Sequence, residues 1–156
     1  MGIKNIKDMN YTIKTMAQTI FVGTNTRQIK YDTKAAEQFW QKFSQNNTFA
    51  RIDNLLSPKI VALYSKVNIT NMDCFFWLGG LVSEQPIKND EQLPYLKIPE
   101  QAYAVFKAKG AADVIVPEAW LRIDSEDLDR SYINDMEIYT PIGDDTFEVE
   151  FYVSLN

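Results

Sequence analysis

Acid–base and charge-pairing chemistry in this chain falls to carboxylates and phenols. The 156 residues include no histidine and one cysteine, Cys74. Ser-His-Asp and Cys-His nucleophilic catalysis, zinc sites built from Cys and His, histidine-held haem and an intrachain disulfide are therefore all excluded. Metal binding by carboxylates alone stays open in principle, but no metal or cofactor is expected. Glu137 is one of these carboxylates. It lies in a run where Asp135, Glu137 and Tyr139 alternate with Met136, Ile138 and Thr140. If the first set faces water, both acids are surface charges. If it faces a pocket, an unpaired buried carboxylate is costly and drifts toward its neutral form, and a bound cation restores the balance. Ring faces nearby would add cation–π attraction of roughly 0.5–2 kcal/mol. Trp40, Tyr64, Trp77, Tyr103, Trp120 and Tyr139 are the candidate walls; Trp40 and Trp120, on apolar helix faces, read as core before pocket, and the others fit either place. Glu137 with Tyr103 or Tyr139 could also do acid–base work.

The other acids read more plainly. Glu148 and Glu150 alternate with the apolar residues Phe147, Val149, Phe151 and Val153, which marks a solvated face. Asp124-Ser125-Glu126-Asp127-Leu128-Asp129 reads as a solvated helix end or loop. The net charge is −5 and no two Lys or Arg residues are adjacent. Nucleic acid needs a basic stripe to displace counterions, so direct DNA or RNA binding is not expected. Met1 to Asp8 lacks the apolar centre of a signal peptide, and no stretch has the length of a membrane span. A cytoplasmic protein of one domain is expected, with residues 1–9 as a flexible N-terminus and residues 10–156 as the domain.

The elements that must position these side chains recur in order. Tyr11 to Asn25 reads as a strand centred on Thr19-Ile20-Phe21-Val22-Gly23. Asp32 or Thr33 can cap a helix whose apolar stripe is Ala36, Phe39, Trp40 and Phe43, and Asn46-Asn47 ends it. Lys59 to Asn68 and Asp73 to Glu84 read as strands joined in a hairpin, with Gly79-Gly80 marking a bulge or a close backbone approach. After a polar connection, Asn89 to Pro94, a strand spans Leu96 to Lys107. Gly110 opens a second helical region carrying Val116, Trp120 and Ile123, which Pro117 either starts or kinks. Strands at Asp135 to Pro141 and Phe147 to Leu155 flank a Gly143-Asp144-Asp145 turn. This is β-α-β-β twice, with Gly23 and Gly110, Trp40 and Trp120, and Tyr64 and Tyr139 as recurring landmarks. The expected fold is α+β. Two such halves form a curved antiparallel sheet with two main helices and a ligand cleft at the pseudo-two-fold seam.

Four stretches carry a family resemblance, in order along residues 10 to 155. They are Phe39-Trp40-Gln41-Lys42-Phe43, Ala62-Leu63-Tyr64-Ser65, and Tyr103-Ala104-Val105-Phe106 running to Gly110. The fourth is Asp135-Met136-Glu137-Ile138-Tyr139-Thr140-Pro141-Ile142 followed by Phe147-Glu148-Val149-Glu150-Phe151-Tyr152-Val153. Together they resemble the GyrI-like family, which includes effector-binding domains of AraC-type and multidrug-sensing regulators and single-domain integron-cassette proteins. The resemblance implies non-catalytic binding of small amphipathic, cationic molecules in an aromatic pocket with one buried Glu, which matches Glu137, four residues before Pro141. Two alternatives come with it. One is a gyrase-inhibitor-like module that meets a topoisomerase or a partner transcription regulator. The other is a hydrolase of small molecules using the pocket carboxylate. No DNA-binding module is expected ahead of the domain, and Pro117 departs from the family's second helix.

Overall fold

A computed structural model describes residues 9–88 and 92–156. Most of the expected flexible N-terminus (residues 1–8) and the start of the Asn89–Pro94 connection (89–91) lie outside the described residues. Met9, also expected to be flexible, is buried against the core.

The apolar stripe from Ala36 to Phe43 becomes α1, Thr33–Gln45, and the Asp32 side chain accepts a hydrogen bond from the Ala35 N–H at its start. The second helix, α2, spans Ala112–Asp124. The expectation that Gly110 opens this helix is corrected. Gly110 lies near the end of a strand, with φ 146°, a conformation that suits glycine. Pro117 neither starts the helix nor ends it. It lies in the helix interior on an exposed position, so the carbonyl it leaves unpaired, that of exposed Asp113, can meet water.

Eight strands make one sheet. They are β1 (Tyr11–Met16), β2 (Thr19–Ile29), β3 (Ile60–Ser65), β4 (Asp73–Val82), β5 (Tyr95–Ile98), β6 (Gln101–Ala111), β7 (Asn134–Gly143) and β8 (Thr146–Ser154). The order across the sheet is β1-β6-β8-β7-β3-β4-β2-β5, every neighbour antiparallel. Two expected strands are therefore each two. The Tyr11–Asn25 run breaks at Ala17-Gln18, and the Leu96–Lys107 run breaks at Pro99-Glu100. The breaks let β1 pair with β6 at one end of the sheet and β5 pair with β2 at the other. Each half is thus β-β-α-β-β, and the two halves exchange their first strands. The order reads the same from both ends if β1 to β4 are matched with β5 to β8, so the repeat is a property of the topology. Its seam is the β3–β7 pair.

Both faces of the sheet bury apolar side chains. One face packs against the helices and holds Tyr64, Phe76, Phe106, Tyr139, Val149 and Phe151 with Phe43, Ile115, Ala119, Trp120 and Ile123. The opposite face gathers Phe21, Leu63, Tyr103, Val105, Met136, Ile138 and Tyr152. Near one end the strands approach very closely. Gly23 on β2 faces Gly79 on β4, and a Cβ on Gly23 would lie 2.1 Å from the Leu78 carbonyl oxygen. A Cβ on Gly79 would lie 1.9 Å from the Val22 carbonyl oxygen. Of the two readings of Gly79-Gly80, close approach is the observed one, since the β2–β4 register runs through without a shift. Because the obstacle is backbone, Gly23→Ala or Gly79→Ala is expected to cost about 3 kcal/mol, at the upper end for overpacking. Denaturant midpoints measure this, and a loss under about 1 kcal/mol would mean that the pair can part cheaply. Among the described residues no helix is long and apolar enough to cross a membrane.

Candidate ligand-binding site

Glu137 sits on β7, directly across the seam from Ala62 of β3. It is 1% exposed. The pleat puts Tyr139 on the same face of β7, and Tyr64 reaches the same point from β3. Three neutral donors converge on the carboxylate. Trp120 Nε1 donates to Oε2 at 2.6 Å, Tyr139 Oη to Oε1 at 2.7 Å, and Tyr64 Oη to Oε2 at 3.4 Å. Burial pushes the Glu137 pKa above the ordinary carboxylate range, and the three donors and the nearby Lys30 charge pull the other way. Among the described residues Glu137 has no ion pair within contact distance.

The rings around it cross between the halves. Trp120, from the second helix, meets Tyr64 of the first half edge-on at 5.9 Å. Trp40, from the first helix, meets Tyr139 of the second half edge-on at 5.1 Å. Trp120 also packs edge-on against Phe151 at 5.7 Å, and Tyr64 lies tilted against Phe76 at 5.0 Å. Of the seven residues expected at the site, the structure brings together Glu137, Tyr139, Trp40, Tyr64 and Trp120. It does not bring Trp77 or Tyr103. Trp77 packs edge-on against Phe21, and Tyr103 against Tyr152, both on the opposite face of the sheet. The physical reason is the pleat: in β4 and β6 these side chains have the parity opposite to Phe76 and Ala104, which do face the helices. A Glu137–Tyr103 acid–base pair is thereby removed.

Residues that sequence reasoning missed surround the site. Asp135, two residues before Glu137 and fully buried, accepts hydrogen bonds from the Ser154 N–H and hydroxyl, both at 2.8 Å, and from Arg130 Nη2 at 3.0 Å. Lys30 Nζ lies 3.7 Å from the same carboxylate, with its side chain wholly buried. A signal for these cations was present in principle. Two buried acids on one face of a central strand demand positive charge nearby, and the search for it would have started among lysines and arginines next to element ends.

The side chains of the site are buried and packed on one another. A groove of about 400 Å³ lies between β2 and α1, lined mainly by polar residues such as Gln28, Gln38 and Lys42, with Phe39 among its lining. Phe39 packs on Phe76 at 5.8 Å, so two rings separate this groove from Tyr64 and Glu137. Glu148 and Glu150 lie on the other side of β8 and face Lys109 and Lys107 across the β6–β8 pair. The acidic run from the end of α2 onward is engaged by side chains near and far in sequence: Asp124 with Tyr31 and Arg130, Glu126 with Arg122, Asp129 with Asn156. Among the described residues no three acidic or thiol side chains converge as a metal ion would need. Burial pushes the Cys74 thiol up to about 11, which suits a packing role.

Comparison with known proteins agrees with this architecture. The structure of SAV2435 bound to tetraphenylphosphonium superposes with a TM-score of 0.72 at 17% identity, covering 95% of this chain and 94% of that one. An integron cassette protein from the mobile metagenome of Vibrio cholerae gives 0.68 at 19%, covering 94% and 99%. The C-terminal domain of EcmrR gives 0.60 at 18%, covering 96% and 99%. At these identities the likeness is one of fold. A comparison with curated proteins finds no match. A family model described as integron-associated effector binding protein matches residues 12–155. The match spans both halves, the seam and every residue of the Glu137 cluster, and the chain belongs to the integron-associated effector binding protein family.

Proposed function

We propose that this domain binds a bulky amphipathic organic cation at the β3–β7 seam and does not turn it over. Glu137 is its charge partner, and Trp120, Tyr64, Tyr139 and Trp40 are its walls. The observation that carries this reading is a buried carboxylate whose three hydrogen bonds all come from neutral donors, with no ion pair among the described residues. Such a group gains most from a desolvated cation, and ring quadrupoles add to the attraction. Tetraphenylphosphonium, the ligand named for the SAV2435 structure, has this chemistry. Trp77 and Tyr103 are not part of the proposed site. Hydrolysis by a Glu137–Tyr139 pair is disfavoured by the state of the phenol. Burial and the Glu137 charge push the Tyr139 pKa well above its usual value, which makes it a poor proton donor near neutral pH.

The reading has a pH signature with a definite sign. Cation binding favours ionised Glu137, whose pKa lies above the usual carboxylate range in the free protein. Affinity should therefore fall as pH drops through that raised pKa and level off above it. Lys30 is pushed below its usual value by burial, so any loss of its charge at higher pH adds to the trend. Tyr64 and Tyr139, pushed up by burial, stay protonated throughout. Titration calorimetry with tetraphenylphosphonium between about pH 5 and pH 8 tests this. Affinity that is flat, or that rises toward acid, would contradict ionised Glu137 as the partner.

A further inference from the structure

We propose that the cation subsite of this domain is already occupied by the chain's own ammonium group. Lys30 fills the ring cage of Trp120, Tyr64 and Tyr31, and it sets affinity and charge selectivity by having to leave. The proposal rests on the cation-binding reading above and names the competitor within the same site.

Lys30 follows the last residue of β2 and is among the largest fully buried side chains of the chain. Its Nζ stands 3.8 Å from the centroid of the Trp120 ring, 5.2 Å from that of Tyr64 and 5.0 Å from that of Tyr31. These are the distances at which a ligand cation would be held. Among the described residues the ammonium has no hydrogen-bond partner. Among the described residues its one approach to an acid within ion-pair distance is Asp135, at 3.7 Å. Asp135 does not depend on it, because Ser154 and Arg130 already supply three hydrogen bonds to that carboxylate. A buried ammonium that donates no hydrogen bond is poorly placed as a structural tie. It is well placed as an occupant, since Trp120 joins its ring face to Lys30 and its N–H to Glu137.

The segment carrying Lys30 is built as a strap. Lys30 and Tyr31 form the two-residue link between β2 and Asp32, the cap of α1. The Asp32 N–H closes the turn on the Ile29 carbonyl at 3.1 Å. Tyr31 holds a φ of 74°, a left-handed conformation that a non-glycine residue keeps only where contacts enforce it. The contact here is its hydroxyl, which donates to Asp124 at the end of α2 at 2.7 Å. Tyr31 is also the half-exposed outer ring over Trp120, at 6.2 Å. The Lys30 N–H also donates to the Met72 carbonyl at 2.7 Å, so release of this bond together with Tyr31–Asp124 would let the turn swing outward and take the ammonium into water, leaving the cage and Glu137 for a ligand.

Two measurements on the intact protein test this. Lys30→Met keeps an unbranched stem and removes the charge, while Asp135 retains Arg130 and Ser154. If the occupied state outweighs the empty one by about ten to one, the apparent affinity for tetraphenylphosphonium rises about tenfold in this variant. Equal or weaker binding by Lys30→Met than by the unaltered protein would overturn the proposal. The second measurement needs no variant. Amine labelling followed by mass spectrometry should find Lys30 protected, relative to the exposed Lys107 and Lys109, in the free protein. It should find Lys30 labelled at saturating tetraphenylphosphonium. Calorimetric binding with Lys30 still protected would sink the displacement step and leave cation binding intact. Absence of binding by both proteins would remove the cation reading and this proposal together.

Discussion

Replacing Glu137 with Gln is expected to weaken binding of an apolar cation by about 2–5 kcal/mol, because the cation would then be buried without a counter-charge. Gln fits the site. Its oxygen can still accept from Trp120 and Tyr64, and its amide can donate to the Tyr139 hydroxyl, so all three present partners of Glu137 remain served. The free protein should gain stability near neutral pH. A carboxyl whose pKa is raised in the folded state penalises folding once the pH exceeds its unfolded value, and the amide carries no such penalty. The gain should vanish as pH falls below the usual carboxylate range. Glu148→Gln is the matched control: it removes a partly exposed partner of Lys109 on the far side of β8. Equal small losses for the two variants would mean that charge is not read at Glu137.

Trp120→Ala is expected to cost about 3–5 kcal/mol of folding stability and to abolish cation binding. This ring is 3% exposed and packs edge-on against both Tyr64 and Phe151. It also donates one of the three hydrogen bonds to Glu137 and underlies Lys30. Trp120→Phe separates these roles. It keeps most of the packing and removes the donor, so about 1–3 kcal/mol should be lost, with the Glu137 pKa moving further up. Leu121→Ala, at a neighbouring position that is 70% exposed, should change little. Denaturant midpoints give the comparison. A Trp120→Ala loss no larger than that of Leu121→Ala would show that the ring is not part of the core.

How much of this could be read from the sequence depended on whether one face of an element met water. In α1 the polar positions Glu37, Gln38, Gln41 and Lys42 are exposed, so the stripe of Ala36, Phe39, Trp40 and Phe43 was legible. In β7 both faces are buried, but the acids fall on one of them, so the alternation of Asp135, Glu137 and Tyr139 with Met136 and Ile138 showed that Glu137 and Tyr139 share a face without telling which face meets the helices. Parity was illegible where both faces are covered. The runs Cys74 to Leu78 and Ala102 to Phe106 are apolar almost throughout, and the pattern alone does not tell which of Phe76 or Trp77, or of Tyr103 or Ala104, meets the helices. The breaks at Ala17-Gln18 and within Pro99-Glu100 separate strands bound for opposite ends of the sheet, and pairing of that range leaves no local mark. Lys30 was hidden for a related reason. A lone lysine beside a turn ordinarily snorkels to water, and its burial follows from Trp120, Tyr64 and Asp135, which are distant in sequence.

The central claim is that the seam reads positive charge, and two tetrahedral tetraphenyl ions of nearly equal shape and opposite sign test it most directly. Titration calorimetry of the unaltered protein with tetraphenylphosphonium and with tetraphenylborate, under the same buffer and salt, is the measurement. The account predicts saturable binding of the cation at one site per chain and at least about a hundredfold weaker binding of the anion, since burying it beside Glu137 sets like charges together in a dry site. Comparable affinity for the two ions, or tighter binding of the borate, would contradict it.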